Sequence, residues 1–415
     1  MRRTNGHHPS DRLKIGLYAF FPGGGIGRYT YELLRALGRR EDVEAELICS
    51  PGFMWKHAPE FSTWDGLYPV WTPKRHLRRA WFLRGQVANP ILALKHAHLR
   101  SLNVLHLANI NHLTFPLWRR WLDGSRIFLS ITAHDVQRRK AMFSRRYEDA
   151  QLKAVYRRAD AIFVHSEFQM DELVAFAGVD RSRIHIVPHG PYPHGEPTLE
   201  SSEVRKRLGI PADKQVALFF GQIRDEKNLE GFLRGLALLS ERPHLLVAGK
   251  AWPGHKNVSY YEKLVDELGL GTSVTFRSGF IAEEEVPNLF GASDWVILPY
   301  HSTFTSQSGV LNVAAAYNRP VLVSRAPVLR ESVEKHKIGV VSAGDTPEDL
   351  ARAIERMIQN TEAGTVFPFE EYRRLHSWDE NARLTVEAYR SMVRVDTDRR
   401  DRTPHHLKSR MEIGE

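Results

Sequence analysis

Residues 217–233 read ALFFGQIRDEKNLEGFL. The run Val216–Phe220 is continuously apolar and reads as a buried strand, while Leu229, Phe232, Leu233 and Leu236 recur at helical spacing. Gly221–Lys227 is therefore the turn by which a strand enters a helix. In a parallel α/β sheet such turns lie at the carboxyl edge, where ligands collect. A helix start offers unpaired N–H groups and the positive end of the helix dipole, and Arg224 and Lys227 add full charges to the same spot. The stretch predicts an anion site, most simply for phosphate. The alternative from these residues alone is a solvated turn whose cations pair with Asp225 and Glu226.

The same alternation extends in both directions. KIGLYAF, VEAELIC, NVLHLA, RIFLSITAH, AIFVHS and IHIVPHG precede the opening stretch, and HLLVAGK, VTFRSG, WVILPY, PVLVS and IGVVSAG follow it, each separated from the next by helical patterns. This rhythm predicts an α/β fold with parallel sheets covered by helices on both faces. At 415 residues the chain exceeds what one core usually supports, so two domains are expected. Gly190–Ser202, with three prolines and no periodicity, interrupts the pattern and predicts an interdomain linker. The boundaries read as an N-terminal domain over 1–190, a linker over 191–202, a C-terminal domain over 203–376, a closing helix over 377–395 and a frayed tail over 396–415.

Other strand ends carry further candidates. LYAFFPGGGIGRYTYELLRAL leads a strand through Gly23, Gly24 and Gly25 into a helix, a turn where a backbone can approach a ligand, with Gly24, Gly25 and Gly27 the candidate acceptor or phosphate loop. The dinucleotide fingerprint is not matched, because the spacing differs and no acidic residue ends VEAELIC. His134 and Asp135 end one strand, and His189 and Gly190 end another, at positions suited to hydrogen-bonding a substrate. After Trp295–Pro299, the hydroxyl-rich YHSTFTSQSG leads into a small-residue helix. Ser306, Ser308 and Gly309 there predict a second phosphate cradle in the same domain as Gly221, Arg224 and Lys227.

Bulk properties narrow the class. With 42% hydrophobic and 26% charged residues the composition is that of a globular protein. Cys49 is the single cysteine, which excludes an intramolecular disulfide and fits a reducing compartment. MRRTNGHHPSDRLK has no apolar core of a signal peptide and no long uncharged apolar run occurs, so the expectation is a cytoplasmic protein, at most peripheral at the inner face of the membrane. The net charge of +9 is concentrated: Gly66–Leu122 contains no acidic residue and nine lysines or arginines, among them Arg75, Arg78, Arg79 and Arg84. Trp71, Trp81, Trp118 and Trp121 lie in the same window. Basic residues mixed with interfacial aromatics suit an anionic bilayer; nucleic acid would also be attracted, but no recognition motif accompanies the patch, and a solvated face with core tryptophans is the third reading.

Taken in order, GGGIGRYTYEL, TAHD, VHSEF, IVPHG, FFGQIRDEKNLEGFL, LLVAGKA, VTFRSGFIAEEEVPNLFGASDWVILPY, GVLNVAAAYNRPV, PVLRE and HSWDENARLTVEAYRSM resemble the retaining glycosyltransferases of family 4 over nearly the whole chain. Within that family they look most like bacterial mannosyltransferase-like enzymes of polysaccharide assembly. The resemblance implies two Rossmann-like domains facing a cleft, the glycosyltransferase B architecture. It also implies a nucleotide diphosphate sugar as donor, a hexose such as mannose or glucose transferred, a glycan or lipid-linked acceptor, and no metal or other cofactor. Arg224 and Lys227 match the family's pair that holds the donor diphosphate, and His134 would hydrogen-bond the transferred sugar. The family usually places two glutamates where this chain has Thr305 and Val313, so ribose contacts would pass to Asn312 and Glu331. An epimerase or hydrolase of the same fold, or a catalytically degenerate sugar-nucleotide-binding protein, are the alternatives.

Overall fold

A computed structural model of the chain describes residues 12–21, 23–138, 141–192 and 194–401. Seven strands form the first sheet: β1 (Leu13–Ala19), β2 (Val43–Cys49), β3 (Ser62–Trp64), β4 (Val104–Leu107), β5 (Phe128–Thr132), β6 (Ala161–Val164) and β7 (Ile184–Ile186). Their order is β3-β2-β1-β4-β5-β6-β7 and every pairing is parallel. The second sheet contains β8 (Val216–Phe220), β9 (His244–Gly249), β10 (Val274–Ser278), β11 (Trp295–Leu298), β12 (Val321–Val323) and β13 (Gly339–Val341). It is ordered β10-β9-β8-β11-β12-β13, again all parallel. The predicted α/β class with two doubly wound sheets is what the chain adopts.

The apolar runs are continuous because these strands are covered on both faces. In β8, Val216 and Leu218 enter one hydrophobic cluster while Ala217 and Phe219 enter the cluster on the opposite side. Strand order reverses between β1 and β4 in the first sheet and between β8 and β11 in the second. These are the switch points at which the loops leaving neighbouring strands part and open a crevice. Only β3 escaped the sequence reading, as a three-residue edge strand without an apolar run.

Contacts divide the chain into two units. One holds the chain up to Val164, Leu173–Val187 and the residues from Asn381 onward; the other holds His165–Glu172 and Pro188–Glu380. His189 and Gly190 therefore group with the second unit, not with the N-terminal domain in which the sequence reading placed them. The linker is shorter than expected, since a helix begins at Ser201. The closing helix runs Trp378–Asp401, past the expected end at 395, because no proline or glycine interrupts the sequence before Pro404. Its residues from Asn381 pack in the first unit: Asn381 donates to the Tyr29 hydroxyl at 2.9 Å, and Arg390 pairs with Asp42 at 2.8 Å. The rest of the expected tail, from 402, and residues 1–11 of the N-terminal segment lie outside the described residues.

Candidate functional site

At the end of β8 the chain makes two moves that expose its backbone. Gly221 adopts φ +95°, a region that disfavours side chains, and its carbonyl lies so close to Gly249 that a Cβ there would sit 1.8 Å from the oxygen. Arg224 is extended, a short 3₁₀ turn covers Asp225–Lys227, and Asn228 enters the left-handed region at φ +53°. The Asn228 side chain then caps the helix Leu229–Ala237 by accepting from the Gly231 amide at 3.1 Å. This cap fixes where Lys227 must lie.

Lys227 is buried, with Nζ 5.3 Å from the centre of the Tyr300 ring and 5.9 Å from that of Phe219. Burial, reinforced by the neighbouring Arg224 charge, lowers its pKa to about 7. Arg224 is half-buried and pairs with Glu226 at 3.2 Å. The pairing with a neighbouring acid envisaged for a solvated turn thus holds for Arg224, but Lys227 is not at a solvated surface.

The second cradle meets the first. Ser308 precedes the helix Gly309–Ala316, its side chain does not cap that helix, and its hydroxyl instead meets the Tyr300 hydroxyl at 3.3 Å. A Cβ on Gly221 would lie 3.6 Å from Lys227 Nζ and 3.8 Å from Val310 Cγ2. Gly221, Lys227, Tyr300, Ser308 and the start of that helix thus converge beside the β8/β11 switch point. Thr305 and Ser306 are half-buried in the same loop. Tyr300 was not singled out in the sequence; it follows the strand Trp295–Leu298, and its contact with Lys227 depends on β11 lying beside β8. Burial pushes its hydroxyl up to about 12, so it stays a neutral donor.

In the first unit the turn after β1 occupies the equivalent switch point. Gly24 has φ +77°, and a Cβ on Gly24 or Gly25 would meet nothing within 4 Å. Gly27 differs: it is buried, with Trp55 3.3 Å from where its Cβ would be, so it is a packing glycine. His134 follows β5, half-buried and edge-on to Tyr29 at 4.6 Å, while Asp135 is exposed. Tyr29 and Asn381 form the support of His134, and they lie too far apart in sequence to have been paired by reading it.

Comparison with known proteins agrees with this geometry. A model described as Glycosyltransferase Family 4 matches residues 23–191, and one described as Glycosyl transferases group 1 matches residues 200–384. The chain belongs to the family 4-type glycosyltransferases. A D-inositol 3-phosphate glycosyltransferase of Nocardioides is 29% identical over 252 residues, covering 56% of this chain and 54% of that protein. The chain thus spans about half the length of the curated relatives it matches. Among solved structures, sucrose-phosphate synthase from Thermosynechococcus elongatus superposes with TM-score 0.70 at 21% identity, over 92% of this chain and all of that one. HepE of Anabaena in complex with UDP superposes with TM-score 0.65 at 16% identity, over 93% of this chain and all of that one. At these identities the two structures establish the glycosyltransferase B fold.

Several of the candidate residues have partners within the protein. Val313 is 3% exposed and packs in the core with Leu311, Val296 and Val321, where a glutamate would be buried among apolar side chains. Asn312 is also buried, its amide nitrogen 3.0 Å from His189 Nδ1 and its oxygen accepting from Tyr372 at 2.8 Å. Glu331 accepts from the Glu167 and Phe168 amides at 2.9 and 3.2 Å, within the same unit. His189 is enclosed by Tyr192 and Trp378, and burial, with His165 nearby, lowers its pKa to about 3. Gly190 is glycine because Trp378 stands 2.6 Å from where its Cβ would be. All five of these residues belong to the second unit.

The basic window is a surface of the first unit. Arg75, Arg78, Arg79 and Arg84 are exposed, Trp81 is half-buried, and Arg78 and Arg84 lie over the rings of Trp71 and Tyr68 at 5.3 and 4.3 Å. Trp71 and Trp121 are exposed, whereas Trp118 is a core residue at 1% exposure. Among the described residues no helix is long and apolar enough to cross a membrane, and no group of three or more His, Cys, Asp or Glu is placed to hold a metal ion.

Proposed function

We propose that this glycosyltransferase moves a hexose, with retention of configuration, from a nucleotide diphosphate sugar to a hydroxyl of a glycan or lipid-linked acceptor. The observation that carries the reading is the convergence of Arg224, Lys227 and the Ser308–Gly309 helix start at one switch point. Breaking the anomeric carbon–phosphate bond builds charge on the leaving diphosphate. Fixed cations and aligned N–H dipoles aimed at that charge lower the barrier most where water is excluded. Lys227 is held in such a place, and a bound diphosphate would keep it protonated despite its lowered pKa. Arg224 would exchange part of its pairing with Glu226 for the same anion. His134 would hydrogen-bond the sugar, and the open space over Gly24 and Gly25 would admit the acceptor hydroxyl. With the positive charge supplied by side chains, the transfer would proceed without a metal or other cofactor.

The relatives named above support a sugar donor, and the presence of UDP in the HepE complex makes uridine diphosphate sugars the first to try. The exposed Arg75, Arg78 and Arg79, with the half-buried Trp81 near them in the chain, support a peripheral site of action at the cytoplasmic membrane surface, where a lipid-linked acceptor would be met. Product analysis tests the reaction: purified protein, a panel of nucleotide diphosphate sugars and lipid-linked acceptors should yield a glycosylated acceptor. Free sugar or an epimer alone would replace the reading with hydrolysis or epimerisation, and donor binding with no product would leave a sugar-nucleotide-binding protein.

A further inference from the structure

The loop after β5 holds two large apolar side chains in solvent. Met142 is 57% exposed and Phe143 70% exposed. They are not loosely held. The buried carboxylate of Glu148, in the first turn of the helix Arg145–Arg158, accepts from the backbone amides of both Met142 and Phe143 at 2.7 Å, and Ser144 caps the same helix. A buried acid thus fixes the backbone beneath two side chains that the fold leaves exposed. Exposed apolar groups held this way mark contact with something outside the chain.

The surroundings identify what they contact. Arg138, Arg145 and Arg146 are exposed on either side of the pair. The helix after the loop is linked to the helix that begins at Arg78: Tyr147 donates to the Leu113 carbonyl at 2.8 Å, and the adjacent Thr114 donates to the Gln86 carbonyl at 2.5 Å. Gln86 lies on the helix Arg78–Leu99, one turn beyond the exposed Leu83 and Arg84, and Leu117 is exposed on the next helix, Phe115–Asp123. Cations around a projecting apolar tip complement the anionic headgroups and acyl boundary of a bilayer.

We propose that Met142 and Phe143 form a wedge that inserts into the interfacial region of an anionic membrane, alongside the basic face of Arg75, Arg78 and Arg79. The inference rests on the membrane reading above and adds a salt-resistant, apolar component to it. Headgroup attraction is screened by salt, whereas burial of apolar side chains is not.

The test uses the full chain and vesicles of phosphatidylcholine with or without phosphatidylglycerol. Cys49 is the single cysteine, and it is buried with its thiol pushed up to about 12, so a Phe143→Cys variant takes an environment-sensitive dye at one position. Expected are a blue shift of that dye and its quenching by brominated lipid, together with a loss of roughly tenfold or more in vesicle partitioning at high salt for Met142→Ser/Phe143→Ser. The Arg75→Gln/Arg78→Gln/Arg79→Gln protein should instead lose binding mainly at low salt. A dye that stays in water, with unchanged partitioning of the serine variant, overturns the wedge while leaving the basic face in place. Absence of vesicle binding by the parent chain overturns both. If the serine variant changes only the oligomeric state on sizing, the wedge is wrong and the tip belongs to a contact between copies.

Discussion

Two turns of this molecule stand at corresponding places and are furnished differently. Both follow the strand at which the sheet order reverses, β1 in one unit and β8 in the other, and both contain a glycine with positive φ. The turn after β8 is crowded with charge: Arg224, Glu226 and the buried Lys227 lie within one 3₁₀ turn of each other. The turn after β1 carries no side chain at Gly24 or Gly25 and opens on empty space. Topology supplies a crevice twice; local residues decide what each can do there. Fixed charge suits an anion that must be held, and bare backbone suits a group that must come close.

The largest effect expected from breaking this contrast is on the charged turn. Arg224→Ala and Lys227→Ala should each lower kcat/KM by about 2–4 kcal/mol in transition-state terms, with circular dichroism unchanged. Steady-state rates with the identified donor measure it, and near-parental turnover in either protein would falsify the diphosphate assignment.

The same lysine should limit stability. Its folded-state pKa of about 7 lies below the ordinary 10.5, so between those values the unfolded chain binds more protons and stability rises with pH. At pH 6 the buried charge opposes folding, and Lys227→Met should stabilise the protein by roughly 2 kcal/mol there, a gain that shrinks as pH rises toward 10.5. Denaturant unfolding at pH 6 and pH 9 would show it; a destabilised methionine variant at both would mean that the site is not adverse to charge.

On the bare turn, Gly25→Val fills space that is open within the first unit. It should lower turnover about tenfold, as expected for a reacting group displaced from its position, while nucleotide affinity by calorimetry stays within about twofold of the parent. Equal losses of nucleotide binding and turnover would erase the proposed division between the two turns.

Smaller again is a shift in pH dependence. Nucleoside diphosphate affinity should fall as pH rises through about 7, where free Lys227 loses its proton, and the midpoint should move upward in Arg224→Ala because the neighbouring charge is one cause of the depression. Titration calorimetry across that range checks both the midpoint and the direction. The smallest expected effect is none: turnover in EDTA should match turnover without it, and restoration of a lost rate by magnesium or manganese would transfer the role of Arg224 and Lys227 to a metal.

Much of this was legible in the residues alone. The twelve apolar runs, the strand-to-helix turns and the two cradles around Arg224 and Ser308 depend on local spacing, and local spacing is what a sequence displays. Arg224 and Lys227 were readable because the strand on one side and the helix on the other leave them nowhere else to be. The burial of Lys227 under Tyr300 was not readable, since it depends on β11 lying beside β8, and those strands are separated by more than seventy residues of chain. The same holds for Asn312 and His189, whose contact joins positions 123 residues apart. Val313 shows the rule most plainly: the resemblance marks it as a position where the family usually has a glutamate, and the fold places it in the core. Sequence determined which segments become strands, helices and turns, because those choices depend on neighbours in the chain. Tertiary structure decided which polar groups face a ligand and which face each other, because burial and hydrogen-bond partners come from residues that only folding brings together.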